Sequence, residues 1–228
     1  MRSPTVDGIV SDLKAHGSPR NVEGMARFGI TSRRALGVPT TVLRRLATEL
    51  GKSHRLAAGL WKTGILEARI LAALIDEPEK VTAGQMDRWA SGFDSWAVCD
   101  GVCLHLFVNT PHAHKKAVLW CMDEREFVRR AGFTLMACLA VHDRKASDSH
   151  FEKFFPCIRR AAKDERNFVK KAVNWALRQI GKRNSVLNRK AIRLAESIHT
   201  MDSKSARWIA ADALRELKSP AVQRKVTK

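Results

Sequence analysis

The chain has 228 residues, 45% of them hydrophobic, with 41 Lys and Arg against 23 Asp and Glu, a net charge of +18. That length fits one or two domains, and the well-spread apolar content supplies a large core and excludes a disordered chain. The longest apolar run, 131–141, contains Thr134 and falls short of the roughly 18 residues of a membrane span, so no membrane partner is expected.

Helical periodicity runs through nearly the whole chain. Apolar residues recur at helical spacing over 6–16, 20–27, 39–51, 53–63, 65–77, 82–91, 94–108, 111–121, 124–142, 148–163, 165–182, 186–199 and 202–218. Gly and Pro are sparse, 13 and 7, and Gly17, Gly29, Gly37, Gly64, Gly92, Pro19 and Pro78 fall between these segments. Pro39 leads into Thr40, Thr82 precedes Gln85 in a capping-box pattern, and Asp94-Ser95 precedes Trp96. No stretch alternates with period 2, so a sheet is not expected. The run from Ala131 to Val141 is apolar nearly all round and reads as a buried helix, with Arg129 and Arg130 at its polar end. Beyond about residue 218 a short flexible tail is expected. Met1, Arg2, Ser3 and Pro4 contain no apolar leader, and five cysteines in no framework spacing suit reduced thiols, so a cytoplasmic location is expected.

A weak repeat is visible. Phe127-Val128-Arg129-Arg130-Ala131 reappears 41 residues later as Phe168-Val169-Lys170-Lys171-Ala172, and Ala176-Leu177-Arg178 reappears 37 residues later as Ala213-Leu214-Arg215. Periods near 40 with two helices each fit HEAT-type units, which stack into a curved solenoid with a concave binding face. The expected fold is therefore all-α, a single solenoid domain over 1–228. Between Arg159 and Arg193 twelve Lys/Arg face two acids, Asp164 and Glu165. Like charges at i,i+4 repel, and an anionic partner such as nucleic-acid phosphate would relieve them.

Two tryptophans stand apart from the core pattern. In the helix around Phe168, Val169, Ala172, Val173, Ala176 and Ile180 form the core stripe, and Trp175 points roughly 130° away from it among Lys171, Arg178 and Lys182. It faces either a ligand or the next repeat. In the helix after Asp94, Trp96 and Asp100 share a side with Cys103 and Phe107. A carboxylate on an apolar stripe either meets a cation in the core or marks where the stripe opens into a groove. Trp61, Trp89, Trp120 and Trp208 lie in periodic apolar segments and read as packing residues. A carboxylate, aromatic faces and cations together suit hydrolysis of an N-glycosidic bond in DNA. The carboxylate stabilises the oxocarbenium-like sugar and positions water, while the cations hold phosphates.

The sequence resembles the AlkD-like DNA alkylation repair family, the HEAT-like-repeat DNA glycosylases. The matching stretches are Leu60-Trp61-Lys62-Thr63-Gly64 with Glu67-Ala68-Arg69, Gln85-Met86-Asp87-Arg88-Trp89, Phe93-Asp94-Ser95-Trp96 with Cys99-Asp100, Phe127-Val128-Arg129-Arg130-Ala131, and Val173-Asn174-Trp175-Ala176-Leu177-Arg178. The resemblance implies a concave basic groove holding duplex DNA and excision of cationic N3- or N7-alkylated purines without flipping the base into a pocket. It implies that Trp96, Asp100 and Trp175 surround the lesion, and that Arg129 or Arg130 contacts the backbone. Phe28 stands where such proteins often carry Tyr, so the ring is kept and the hydroxyl lost. Lys170, Lys171, Arg178, Lys182 and Arg183 complete the expected DNA-contacting set, and six phosphate contacts would give a salt slope near about −5. The expected protein is a monomer that is nucleoid-associated when bound to DNA. No cofactor and no metal are expected: Cys99-x3-Cys103 lacks the spacing of a zinc site, His112-x-His114 reads as a surface contact, and neither phosphate-loop nor dinucleotide glycine motifs occur. Two other classes are weighed: a non-catalytic solenoid that binds damaged or branched DNA, and a scaffold whose basic face meets RNA or acidic protein.

Overall fold

The computed structural model describes residues 4–227. Residues 1–3, part of the stretch read as lacking an apolar leader, lie outside them, as does Lys228. Every regular element among the described residues is helical. No helix among them is long and apolar enough to cross a membrane. Two compact units appear, Met1–Pro111 and His112–Lys228.

The N-terminal unit holds α1 (Val6–Ala15), α2 (Pro19–Ala26), α3 (Thr40–Leu50), α4 (His54–Lys62), α5 (Leu66–Ile75), α6 (Ala83–Ser91) and α7 (Trp96–His105). Helix α5 is its spine, packed against α3, α4 and α7. Ser18, Ser53, Thr82 and Ser95 each accept a hydrogen bond from the backbone N–H three residues on, satisfying an otherwise orphaned donor at the start of α2, α4, α6 and α7. Only half of the expected capping box forms at Thr82. Gln85 donates from its backbone N–H to Thr82 Oγ1, but its side chain turns to the buried Asp76, at 2.8 Å. Four aromatic rings fill the centre: Trp61 stacks on Trp89 with centroids 4.2 Å apart and planes 2° from parallel, and Phe93 and Phe107 close around them.

The C-terminal unit holds α8 (Ala113–Trp120), α9 (Glu126–His142), α10 (Asp148–Glu152), α11 (Phe155–Ala161), α12 (Asn167–Gly181), α13 (Ser185–His199), α14 (Lys204–Leu217) and α15 (Pro220–Val226). Helix α9 packs on α8 and α12, and α12 packs in turn on α14. Residues 131–140 of α9 are all buried, as the apolar run requires, and only Val141 emerges. Gly132 is needed there: a Cβ would stand 2.5 Å from the Cys121 nitrogen, so the end of α8 lies directly against the α9 backbone. Repeat stacking is visible at the duplicated motif, where the leading rings of the two copies, Phe127 and Phe168, meet at 5.5 Å.

Two expectations are corrected. The segment 148–163 is not one helix but α10 and α11, because Pro156 lacks an N–H and its ring would clash with the carbonyl four residues back. The tail beyond 218 is a helix, capped by Ser219 with Pro220 in its first turn, and it buries Val222 and Val226.

Candidate active site and nucleic-acid interface

In the N-terminal unit, Trp96 is the first residue of α7. Its indole N–H donates to the Phe28 carbonyl at 2.9 Å, which fixes the ring while leaving it half-buried. Phe28 sits in the turn after α2, just before Gly29 at φ 75°, and its own ring is 72% exposed. The missing Tyr hydroxyl would thus lie in solvent, and the backbone, rather than the ring, holds Trp96. Asp100 follows one turn later and is half-exposed, whereas Cys103 and Phe107 are fully buried. The stripe therefore opens at its N-terminal end and closes at its C-terminal end. Beside Trp96 lies a hollow of about 690 Å³ lined by Arg20, Arg27, Phe28 and neighbours in α2.

A second hollow of about 400 Å³ is lined by Arg33, Arg34, Arg69 and Asp94. Arg69 lies over the Trp61 ring at 4.9 Å, donates to the Gly92 carbonyl at 3.0 Å and approaches Asp94 at 3.7 Å. The loop leading to it is held from beneath by Glu67. That buried carboxylate accepts the backbone N–H groups of Leu36, Gly37 and Val38.

In the C-terminal unit, Trp175 on α12 is half-buried, between ligand-facing and packed. The cations divide into three kinds. Arg130 is buried and donates to the Phe168 carbonyl at 2.6 Å; Arg183 donates to the Ala140 carbonyl at 2.8 Å and lies over the Phe151 ring at 4.0 Å. Burial pulls Arg183 below its ordinary value. Arg129, Arg178 and Lys182 are half-buried and paired with acids: Arg129 with Asp164 at 2.9 Å, Arg178 with Glu216, and Lys182 with Glu216 at 2.5 Å. Lys171 is exposed, and Lys170 sits over Trp208 at 5.7 Å. Of the two arginines that the sequence left open, Arg129 thus lines a hollow, with Arg160 and Lys163, while Arg130 ties α9 to α12.

The paired acids share a cause. Burial pushes Asp164 and Glu216 up, but hydrogen bonds from Arg166 and Arg129 to the first, and from Lys182 and Arg178 to the second, outweigh it and hold both below their ordinary values. Arg166 is correspondingly raised by its bond to Asp164.

The chain belongs to the DNA alkylation repair enzyme family. The family's profile matches residues 9–217, nearly the whole chain. No curated protein matches in sequence. Among solved structures, the chain is similar to a protein of a family related to the HEAT-like repeat DNA glycosylases with affinity for branched DNA structures: TM-score 0.79 and 20% identity over 99% of this chain and 97% of that one. At that identity the likeness shows the fold, HEAT-like repeats. An engineered protein (TM-score 0.40, 13% identity, covering 77% of this chain and 90% of that one) and a designed armadillo repeat protein (TM-score 0.37, 14%, 78% and 92%) are much more distant.

With the family known, the residues that sequence reasoning missed fall into place as supports. Glu67 lies within the Glu67-Ala68-Arg69 stretch, whose sequence carries no sign of the role. Asp212 and Glu216 lie on α14, 38 residues beyond Asn174 and Arg178, which they bind. The only signal available was that one-repeat offset. Trp208 was read as packing and is instead 42% exposed, because its position on α14 faces away from the Ala206-Ile209-Ala210-Ala213 stripe. Among the described residues no cluster of three or more His, Cys, Asp or Glu is arranged to hold a metal ion; Cys99 and Cys103 are both buried in the core.

Proposed function

We propose that this protein excises cationic N3- or N7-alkylated purines from duplex DNA. The observation that carries the reading is on α7: a half-exposed Asp100 one turn from a Trp96 ring anchored to the Phe28 carbonyl. As the C1′–N bond breaks, the alkylated base leaves neutral, because it already carried the positive charge, and no general acid is needed. The charge passes to the sugar, where the Asp100 carboxylate opposes it. Water adds at C1′ and gives up a proton, for which Asp100 is the acceptor. Trp96 offers a π face to the cation. The role of Trp175 as a second ring rests on the family resemblance. Lys170, Lys171 and Arg129 take phosphates in this reading. Arg178 and Lys182 would exchange carboxylate for phosphate, while Arg130 and Arg183 support the scaffold from within.

A second reading has one specific support. The similar solved structure is of a protein with affinity for branched DNA structures, so binding without excision is the alternative for this chain. Purified protein incubated with methylated duplex DNA in EDTA separates the two. Release of free alkylated purine supports excision. Tight binding of branched DNA with no base released would replace it.

A further inference from the structure

Helix α14 carries a feature that the excision reading does not use. Ala206, Ile209, Ala210, Ala213 and Leu217 are fully buried and form its core stripe. At 100° per residue Trp208 points roughly 155° from the centre of that stripe, into solvent, together with Lys204 and Arg215. Of the six tryptophans Trp208 is the most exposed, at 42%. A cation reaches the ring: the Lys170 ammonium of α12 stands over it, 5.7 Å from the centroid. Lys204 stands one turn before Trp208 on the same face of α14. Glu165 is engaged with the start of α14, at 2.8 Å from Ser203 Oγ and 3.1 Å from Ser205 N. Arg207, next in sequence, reaches Asp202 at 3.4 Å on the exposed surface. Lys171 on α12 is exposed.

We propose that Trp208 is a stacking platform for an unpaired nucleobase, with Lys170 and Lys204 on the flanking phosphates. The occupant is single-stranded DNA. An indole with an ammonium over its ring and another one turn away matches a nucleotide part for part: as the base takes the ring face, which accepts any base, the Lys170 ammonium moves off it to the backbone phosphate. A base in a closed duplex has both faces covered by its neighbours and cannot use the ring. A protein partner would have to desolvate the same lysines without a matching anion. The inference rests on the DNA-binding reading above and adds a second contact, separate from the Trp96–Asp100 stripe.

The test compares blunt duplex, the same duplex with a single-stranded overhang, and an oligothymidylate, each bound by the parent, Trp208→Ala and Trp208→Phe. The parent should prefer the overhang to the blunt duplex. Trp208→Ala should lose roughly fivefold or more in affinity for overhang and oligothymidylate, the low end for one stacked base, and keep its affinity for blunt duplex. Trp208→Phe should recover most of that loss. Equal weakening on all three DNAs, or no change on any, would overturn the platform while leaving duplex binding standing. A parent that binds none of them would overturn this inference and the DNA reading together. The blunt duplex serves as the fold control, since a misfolded variant would lose it as well.

Discussion

The two units hold their candidate functional residues by different means. In the N-terminal unit the support is aromatic and backbone-based: Trp61 on Trp89, Arg69 on Trp61, the Trp96 indole on the Phe28 carbonyl, and Glu67 on three backbone N–H groups. In the C-terminal unit it is ionic and spaced by the repeat: Arg129 to Asp164 is 35 residues, Arg178 to Glu216 is 38, and Lys182 to Glu216 is 34. A count of cations therefore overstates how many stand free for an anion. The segment 159–193 carries a large excess of Lys and Arg, yet α14 brings Asp212 and Glu216 against the part that lies on α12.

This contrast can be broken from either side. Trp89 is 4% exposed and stacked, so Trp89→Ala should destabilise the N-terminal unit by about 3–5 kcal/mol, read as a lowered midpoint in urea. Glu216→Gln should cost less, about 1–2 kcal/mol, because its partners remain half-wet. The same variant frees Lys182 and leaves Arg178 only its longer contact to Asp212 at 3.6 Å, so its affinity for duplex DNA should rise while its stability falls. A variant that loses both would show that the ion pairs shape the DNA-binding face rather than compete for it.

Acid should discriminate between the units too. Asp164 and Glu216 titrate below their ordinary values in the folded chain. The unfolded chain therefore takes up protons first, and the stability these pairs contribute is full above about pH 4.3. It is lost as the pH falls through the lower folded values. The acid-induced drop in melting temperature should shrink in Glu216→Gln. With Arg130 and Arg183 engaged with carbonyls, five of the named cations remain for phosphates: Arg129, Lys170, Lys171, Arg178 and Lys182. The salt slope should then lie at about −4.5, a little shallower than the −5 or so that six would give. Smallest of all, Phe28→Tyr should leave stability within about 0.5 kcal/mol, since the ring is in solvent. Any change it makes in excision would report a hydroxyl contact to DNA.

How far the residues alone reach follows from the same contrast. Helical periodicity is a local signal, so the all-α reading and nearly every helix were legible, down to the Thr82 and Ser95 starts. The split at Pro156 was legible in principle and was passed over because the apolar spacing continues through it. The helix after Ser219 was missed because only Val222 and Val226 mark its buried side, and two apolar residues make a weak period. The Trp96–Asp100 spacing was legible because one turn separates them. What Trp96 holds was not, since the Phe28 carbonyl lies 68 residues away and carries no side-chain signature. The fate of Arg130 and Arg183 was hidden for the same reason. Trp208 was misread because it interrupts an apolar helix, and the phase of that helix, rather than its composition, decides exposure.

Asp100 carries the enzymatic claim. The most direct measurement is base release from methylated duplex DNA in EDTA by the parent and by Asp100→Asn, with DNA affinity and melting temperature taken on the same samples. The account predicts that the Asn variant folds and binds DNA at least as tightly, because a carboxylate near phosphates is repulsive. It should release base slower by roughly 10² to 10³. Release at the parental rate by a stable, DNA-bound Asp100→Asn would contradict it.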